Sequence, residues 1–104
     1  MDNYRIAYIS GPYRSSTPNG IYFNINQARE VAIKYWMRGY IVLTPHLNSM
    51  FMDGLIPDSE WIKRDLELLR RCDTVVMLKT WKNSQGSCIE LDEAIRLNKE
   101  VIYE

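Results

Sequence analysis

The stretch Tyr4-Arg5-Ile6-Ala7-Tyr8-Ile9-Ser10-Gly11-Pro12 decides the fold. It opens as an alternation, then runs apolar through Ile6, Ala7, Tyr8 and Ile9, and Gly11-Pro12 breaks it, so Tyr4 to Ser10 reads as a buried strand. Two later segments share that character: Tyr40 to Thr44, closed by Pro45, and Thr74 to Leu78. Val101 to Tyr103 supplies a closing strand. Strands that are apolar runs rather than alternations are covered on both faces, which is the mark of a parallel sheet.

The segments between these strands carry the helical period. From Ile21 to Arg38 the residues Ile25, Ala28, Ala32, Tyr35 and Trp36 fall on one helical stripe, and Gly39 follows as a left-handed stop. Asp58 or Ser59 caps a second helix with the apolar face Trp61, Ile62, Leu66, Leu69 and Cys72. A last helix is expected over Ser87 to Asn98, with Leu91, Ala94 and Ile95 inward. Arg14 to Gly20 and Lys79 to Gly86 read as polar loops, and His46 to Pro57 as a long connection with room for one helical turn. The order βαβαβαβ predicts a single small doubly wound domain over residues 1–104, flavodoxin- or Rossmann-like, with a four- or five-stranded parallel sheet. In such sheets ligands bind beyond the carboxyl ends of the strands, here at Gly11 to Gly20, from Pro45 onward, and at Lys79 to Gly86.

Composition narrows the partner. The 104 residues carry 13 Lys+Arg and 13 Asp+Glu, so no net field favours a nucleic-acid polymer or an anionic membrane, and a small molecule is the expected ligand. An apolar fraction of 46% with 12% aromatic suits one core. No apolar run reaches the length of a membrane span, and the start, MDNYRIAYIS, has no basic region followed by an apolar stretch, so a cytoplasmic protein is expected. Cys72 and Cys88 read as buried small hydrophobes, and two thiols with one histidine do not close a zinc site. Neither metal nor cofactor is expected.

Several side chains sit where chemistry is expected. The loop from Gly11 and Pro12 through Arg14 to Gly20 offers hydroxyls, a guanidinium and free N–H groups, which suit a phosphate, although it reads equally as a surface loop of turn formers. It lacks the spacing of a Walker loop or a dinucleotide fingerprint. In Asn83-Ser84-Gln85-Gly86-Ser87-Cys88-Ile89-Glu90, Gly86 permits close backbone approach. The Ser87 to Glu90 spacing is that of a capping box. The alternative is that Glu90, in the first turn of its helix, faces the cleft as a carboxylate kept anionic by the helix amino end, ready to attack a sugar carbon with oxocarbenium character. Asp65 reads by spacing as a solvated helix carboxylate beside Lys63 and Arg64. Tyr8 is most simply core, with a phenol that a cleft carboxylate would satisfy. His46, the single histidine, follows the second strand at the edge where a site is expected.

These residues together resemble the nucleoside 2-deoxyribosyltransferase superfamily, above all its small members: the nucleoside 5′-monophosphate N-glycosidases and short uncharacterised proteins of phages and bacteria. The resemblance runs through Tyr8 to Arg14, Tyr40 to Leu47, Lys63 to Leu66, Cys72 to Val76, and Ser84-x-Gly86-x-x-x-Glu90. It implies that Glu90 is the nucleophile of a glycosyl-enzyme mechanism, that Tyr8 orients it, and that Asp65 handles protons at the base. It implies substrate contacts for Ser84 and for the Gly11 loop with Arg14, and it leaves Ser87 to cap the helix or touch ligand. The Trp81 region and the Met50 to Asp53 connection are the expected pocket walls. The implied activity is hydrolysis or transfer at the N-glycosidic bond of a nucleoside or its 5′-monophosphate; the alternative is a phage-type protein that holds a nucleotide or nucleotide-derived signal without turning it over. A homodimer or larger homo-oligomer is expected from the same resemblance.

Overall fold

A computed structural model describes residues 3–104. Its elements are β1 (Ile6–Ser10), α1 (Pro18–Met37), β2 (Ile41–Leu43), α2 (Pro45–Asn48), α3 (Asp58–Arg70), β3 (Thr74–Met77), a 3-10 turn (Trp81–Asn83), α4 (Gln85–Arg96) and β4 (Glu100–Tyr103). The four strands form a parallel sheet in the order β2-β1-β3-β4. The chain therefore runs outward from β1 in both directions, and a crevice opens where the order reverses, between β1 and β3.

The period-2 geometry of β1 divides the core. Ala7 and Ile9 pack with Val76 and Leu78 against Ala28, Ala32 and Tyr35 of α1. Tyr8, Val75 and Met77 point the other way, onto Leu69 of α3 and Leu91 and Ala94 of α4. All four residues of β3 are buried, which is why its sequence runs apolar instead of alternating. The expected doubly wound architecture is present, with four strands among the described residues.

Several boundaries and faces differ from the sequence expectation. Helix α1 starts at Pro18 rather than Ile21, because the Thr17 side chain accepts from the Gly20 N–H and Pro18 occupies the first turn, where its missing N–H costs nothing. Ile95 and Trp36 are exposed rather than inward. Cys72 is buried, but Cys88 is only half-buried. The single turn allowed for in the connection after β2 is α2, at Pro45–Asn48. No helix of the described residues is long and apolar enough to cross a membrane.

Candidate active site

Two residues of one strand face meet a carboxylate on the facing helix. Tyr8 and Ser10 are two apart in β1, so both side chains point to the α3–α4 side. The Tyr8 hydroxyl donates to Glu90 Oε2, and Ser10 Oγ donates to Glu90 Oε1 at 2.6 Å. At 0% and 1% exposure respectively, Tyr8 and Ser10 have little access to water, so the carboxylate is what satisfies their hydroxyls. Both oxygens of Glu90 are thereby fixed from below.

The start of α4 explains how Glu90 reaches β1. The 3-10 turn Trp81–Asn83 ends at Ser84, whose extended backbone makes it the N-cap, and Ser84 Oγ accepts from the Ser87 N–H at 3.1 Å. The capping box expected between Ser87 and Glu90 is not formed. The helix begins three residues earlier than that box requires, which puts Glu90 in the second turn and turns its side chain inward. Ser87 is 1% exposed, and its Oγ has no hydrogen-bond partner among the described residues.

The electrostatics also differ from expectation. Burial pushes the Glu90 carboxyl up to about 7; the Ser10 and Tyr8 hydrogen bonds oppose this, and the Asp65 charge adds to it. The helix amino end does not keep this group fully anionic at neutral pH, because it lies a turn away while burial acts on the carboxyl directly. Burial raises Asp65 to about 6. Tyr8 is held well above its usual value, by burial first and then by the Glu90 charge, so its phenol stays a donor.

Glu90 opens onto a cleft of about 400 Å³ beyond the carboxyl ends of the strands. Gly11, Pro12 and Arg14 line it from the β1–α1 loop, and His46 lines it from α2. Asp65 enters from α3, and Ser84 and Gly86 from the start of α4. Asp65 is not paired as expected, since Lys63 and Arg64 both reach Glu60, each at 3.5 Å. Tyr8 and Ser87 are not among the lining residues, and Tyr8 acts on the cleft through Glu90.

His46 supports the first loop. Its Nε2 faces the carbonyl oxygens of Gly11 at 3.1 Å and Pro12 at 3.0 Å. Two acceptors assign the ring proton to Nε2, leaving Nδ1 as a buried acceptor without a partner among the described residues. Burial lowers the His46 pKa, so the ring is neutral near pH 7.

The mouth of the cleft holds residues that sequence reasoning passed over. Arg14 donates to Asp58 and lies 3.8 Å from Asp53, while the Tyr13 hydroxyl donates to Asp53. Trp61 and Ile62, assigned to a core-facing helix stripe, line the cleft instead. Trp81 does not line it; its ring packs 6.2 Å from that of Tyr103. Ser10 had a usable signal, since it lies two residues after Tyr8 on the same strand face. Asp53 lies in the cleft lining as the expected wall from Met50 to Asp53 allowed, but nothing in the sequence paired it or Asp58 with Arg14, because those meetings span about forty residues of chain.

Comparison with known proteins agrees with the architecture. The fold matches a structure titled "2-desoxiribosyltransferase from Leishmania mexicana" with a TM-score of 0.66 and 17% sequence identity, over 95% of this chain and 63% of that one. The resemblance expected from the sequence is thus met at the level of fold, and this chain spans 63% of that protein's length. No protein of curated function matches the sequence. A family model matches residues 6–103, and the chain belongs to that family, the domain of unknown function DUF4406.

Proposed function

We propose that the protein cleaves the N-glycosidic bond of a nucleoside or nucleoside 5′-monophosphate. The observation that carries this reading is the Glu90 carboxylate, held by Tyr8 and Ser10 and opening onto the same cleft as Asp65. In the ionised form Glu90 attacks the anomeric carbon. The bond to the base nitrogen breaks, its electron pair leaves with the base, and Asp65 delivers a proton to that base. A water molecule, or a second base, then attacks the glycosyl-enzyme ester and releases Glu90, with Asp65 taking up the proton. Tyr8 orients the nucleophile. Gly11, Pro12, Arg14, His46, Ser84 and Gly86 bind the substrate or shape its pocket, while Ser87, buried and outside the lining, packs behind it.

The test is release of free base from a panel of nucleosides and 5′-monophosphates, with Glu90→Ala as control. Base release by the native protein and its loss in the variant support the reading, and normal turnover by Glu90→Ala overturns the assignment. A second reading, ligand binding without turnover, is favoured by one observation: both Glu90 oxygens already accept hydrogen bonds. It predicts that a bound nucleotide is recovered intact after long incubation.

A further inference from the structure

The cation that lines the cleft is already spoken for. Arg14 is the single Lys or Arg among the described lining residues, whereas Asp53, Asp58, Asp65 and Glu90 all line the same space. Its guanidinium donates to Asp58, lies 3.8 Å from Asp53, and sits 5.8 Å from the centre of the Tyr13 ring. The Tyr13 hydroxyl donates to the other Asp53 oxygen. Two carboxylates on separate segments, one in the connection after α2 and one at the start of α3, thus pair with the guanidinium, and all three side chains line the cleft.

We infer that Asp53 and Asp58 mask Arg14 and make the cleft select an uncharged nucleoside over the same nucleoside bearing a 5′-phosphate. This rests on the reading that the cleft holds a nucleoside-type ligand, and it decides between the two substrate classes left open there. A phosphate that reaches Arg14 must displace a carboxylate from it, which leaves that carboxylate without its cation, or must lie among carboxylates without a free cation. The three side chains are partly exposed at the mouth of the cleft, so solvent weakens the repulsion, but like charges brought together oppose binding in either case. The amino end of α4, at Gln85 and Gly86, offers N–H groups with a partial charge of about half a unit, too little to offset the carboxylates. A free 5′-hydroxyl meets no such penalty, and the carboxylates can accept from it.

The experiment measures dissociation constants for a 2′-deoxyribonucleoside and its 5′-monophosphate by calorimetry, together with base release from each. It uses the native protein, Glu90→Gln, and the double variant Asp53→Asn/Asp58→Asn. The native protein and Glu90→Gln are expected to bind the nucleoside at least about tenfold more tightly than the monophosphate. The Asn variant is expected to shift that ratio at least about tenfold toward the monophosphate. Equal or tighter monophosphate binding by the native protein overturns the inference, as does an unchanged ratio in the Asn variant or binding of neither compound. Tight nucleoside binding without base release supports the selectivity and sinks the glycosidic reading, so the two fail separately. Arg14→Gln, which removes the masked cation, is expected to weaken monophosphate binding far less in the native background than in the Asn variant.

Discussion

Glu90 shows how much one side chain depends on its neighbours. Its residue type and position suggested a nucleophile, yet spacing alone favoured a capping role, and only Tyr8 and Ser10 on the facing strand give its two oxygens their orientation. Ser10 shares a strand face with Tyr8, two residues away, and its role follows from that register and not from its residue type. Its hydrogen bond favours the ionised form of Glu90. Ser10→Ala should therefore raise the Glu90 pKa, lower the maximal rate by keeping the proton on Glu90, and move the alkaline limb of the activity profile, which the higher of the two carboxyl values sets, to higher pH, while Ser10→Thr, which keeps the hydroxyl, should leave the limb near its native place. An unmoved limb in Ser10→Ala would show that the serine only packs. Tyr8 was legible because a buried phenol needs a partner; Asp65 was not, because its helix position looks the same whether the side chain meets solvent or a cleft.

At the scale of elements, apolar runs and helical stripes located every strand and every long helix, and the errors gathered at helix ends and on exposed faces. Thr17-Pro18 was a legible N-cap and first turn, but the following Asn19-Gly20 resembles a loop, and the hydrogen bond from Gly20 to Thr17 is what carries the helix through it. The β1–α1 connection shows a stricter requirement at Gly11. A Cβ there would stand 2.8 Å from Leu78 Cδ2 and 3.0 Å from Leu78 Cβ, so the backbone turns into the cleft loop in direct contact with the end of β3. Gly11→Ala is expected to cost about 1–3 kcal/mol in denaturant unfolding through overpacking. A change within experimental error would mean that Leu78 yields freely.

For the whole molecule, the carboxyl groups of Asp65 and Glu90 share one cleft, and the Asp65 charge raises the Glu90 value, so their titrations are linked. If Asp65 acts as the acid and Glu90 as the ionised nucleophile, activity requires one proton on the pair. With values of about 6 for Asp65 and about 7 for Glu90, the single proton sits mostly on Glu90 and the reactive form is the minor one-proton state, so base release should still peak in the window between the two values and fall on both sides, whereas a flat profile from pH 5 to pH 9 would refute the pairing. Stability should follow the same group in the opposite sense. Burial raises Glu90 from its usual value of 4.5 to about 7, so the folded state holds its proton more tightly than the unfolded chain, and the cost of ionising it is absent below the unfolded value and complete above the folded one. Glu90→Gln is therefore expected to stabilise the protein by about 1–3 kcal/mol at pH 8 and by nearly nothing at pH 4, measured by denaturant unfolding at both. A destabilised variant at pH 8 would mean that the hydrogen bonds to the carboxylate outweigh its burial.

The sequence by itself determined the architecture, because hydrophobic period and turn residues act over a few positions and are written locally. It also placed the ligand cleft, because a parallel sheet with a reversal in strand order opens at its carboxyl edge wherever it occurs. Tertiary structure alone decided the chemistry inside that cleft. A chain with 13 cationic and 13 anionic side chains is neutral as a whole, yet folding brings four carboxylates and one arginine to the lining of a single cleft. Charge adds over the chain regardless of order, whereas fields and proton affinities depend on distance and burial, and those exist only once residues far apart in sequence have met.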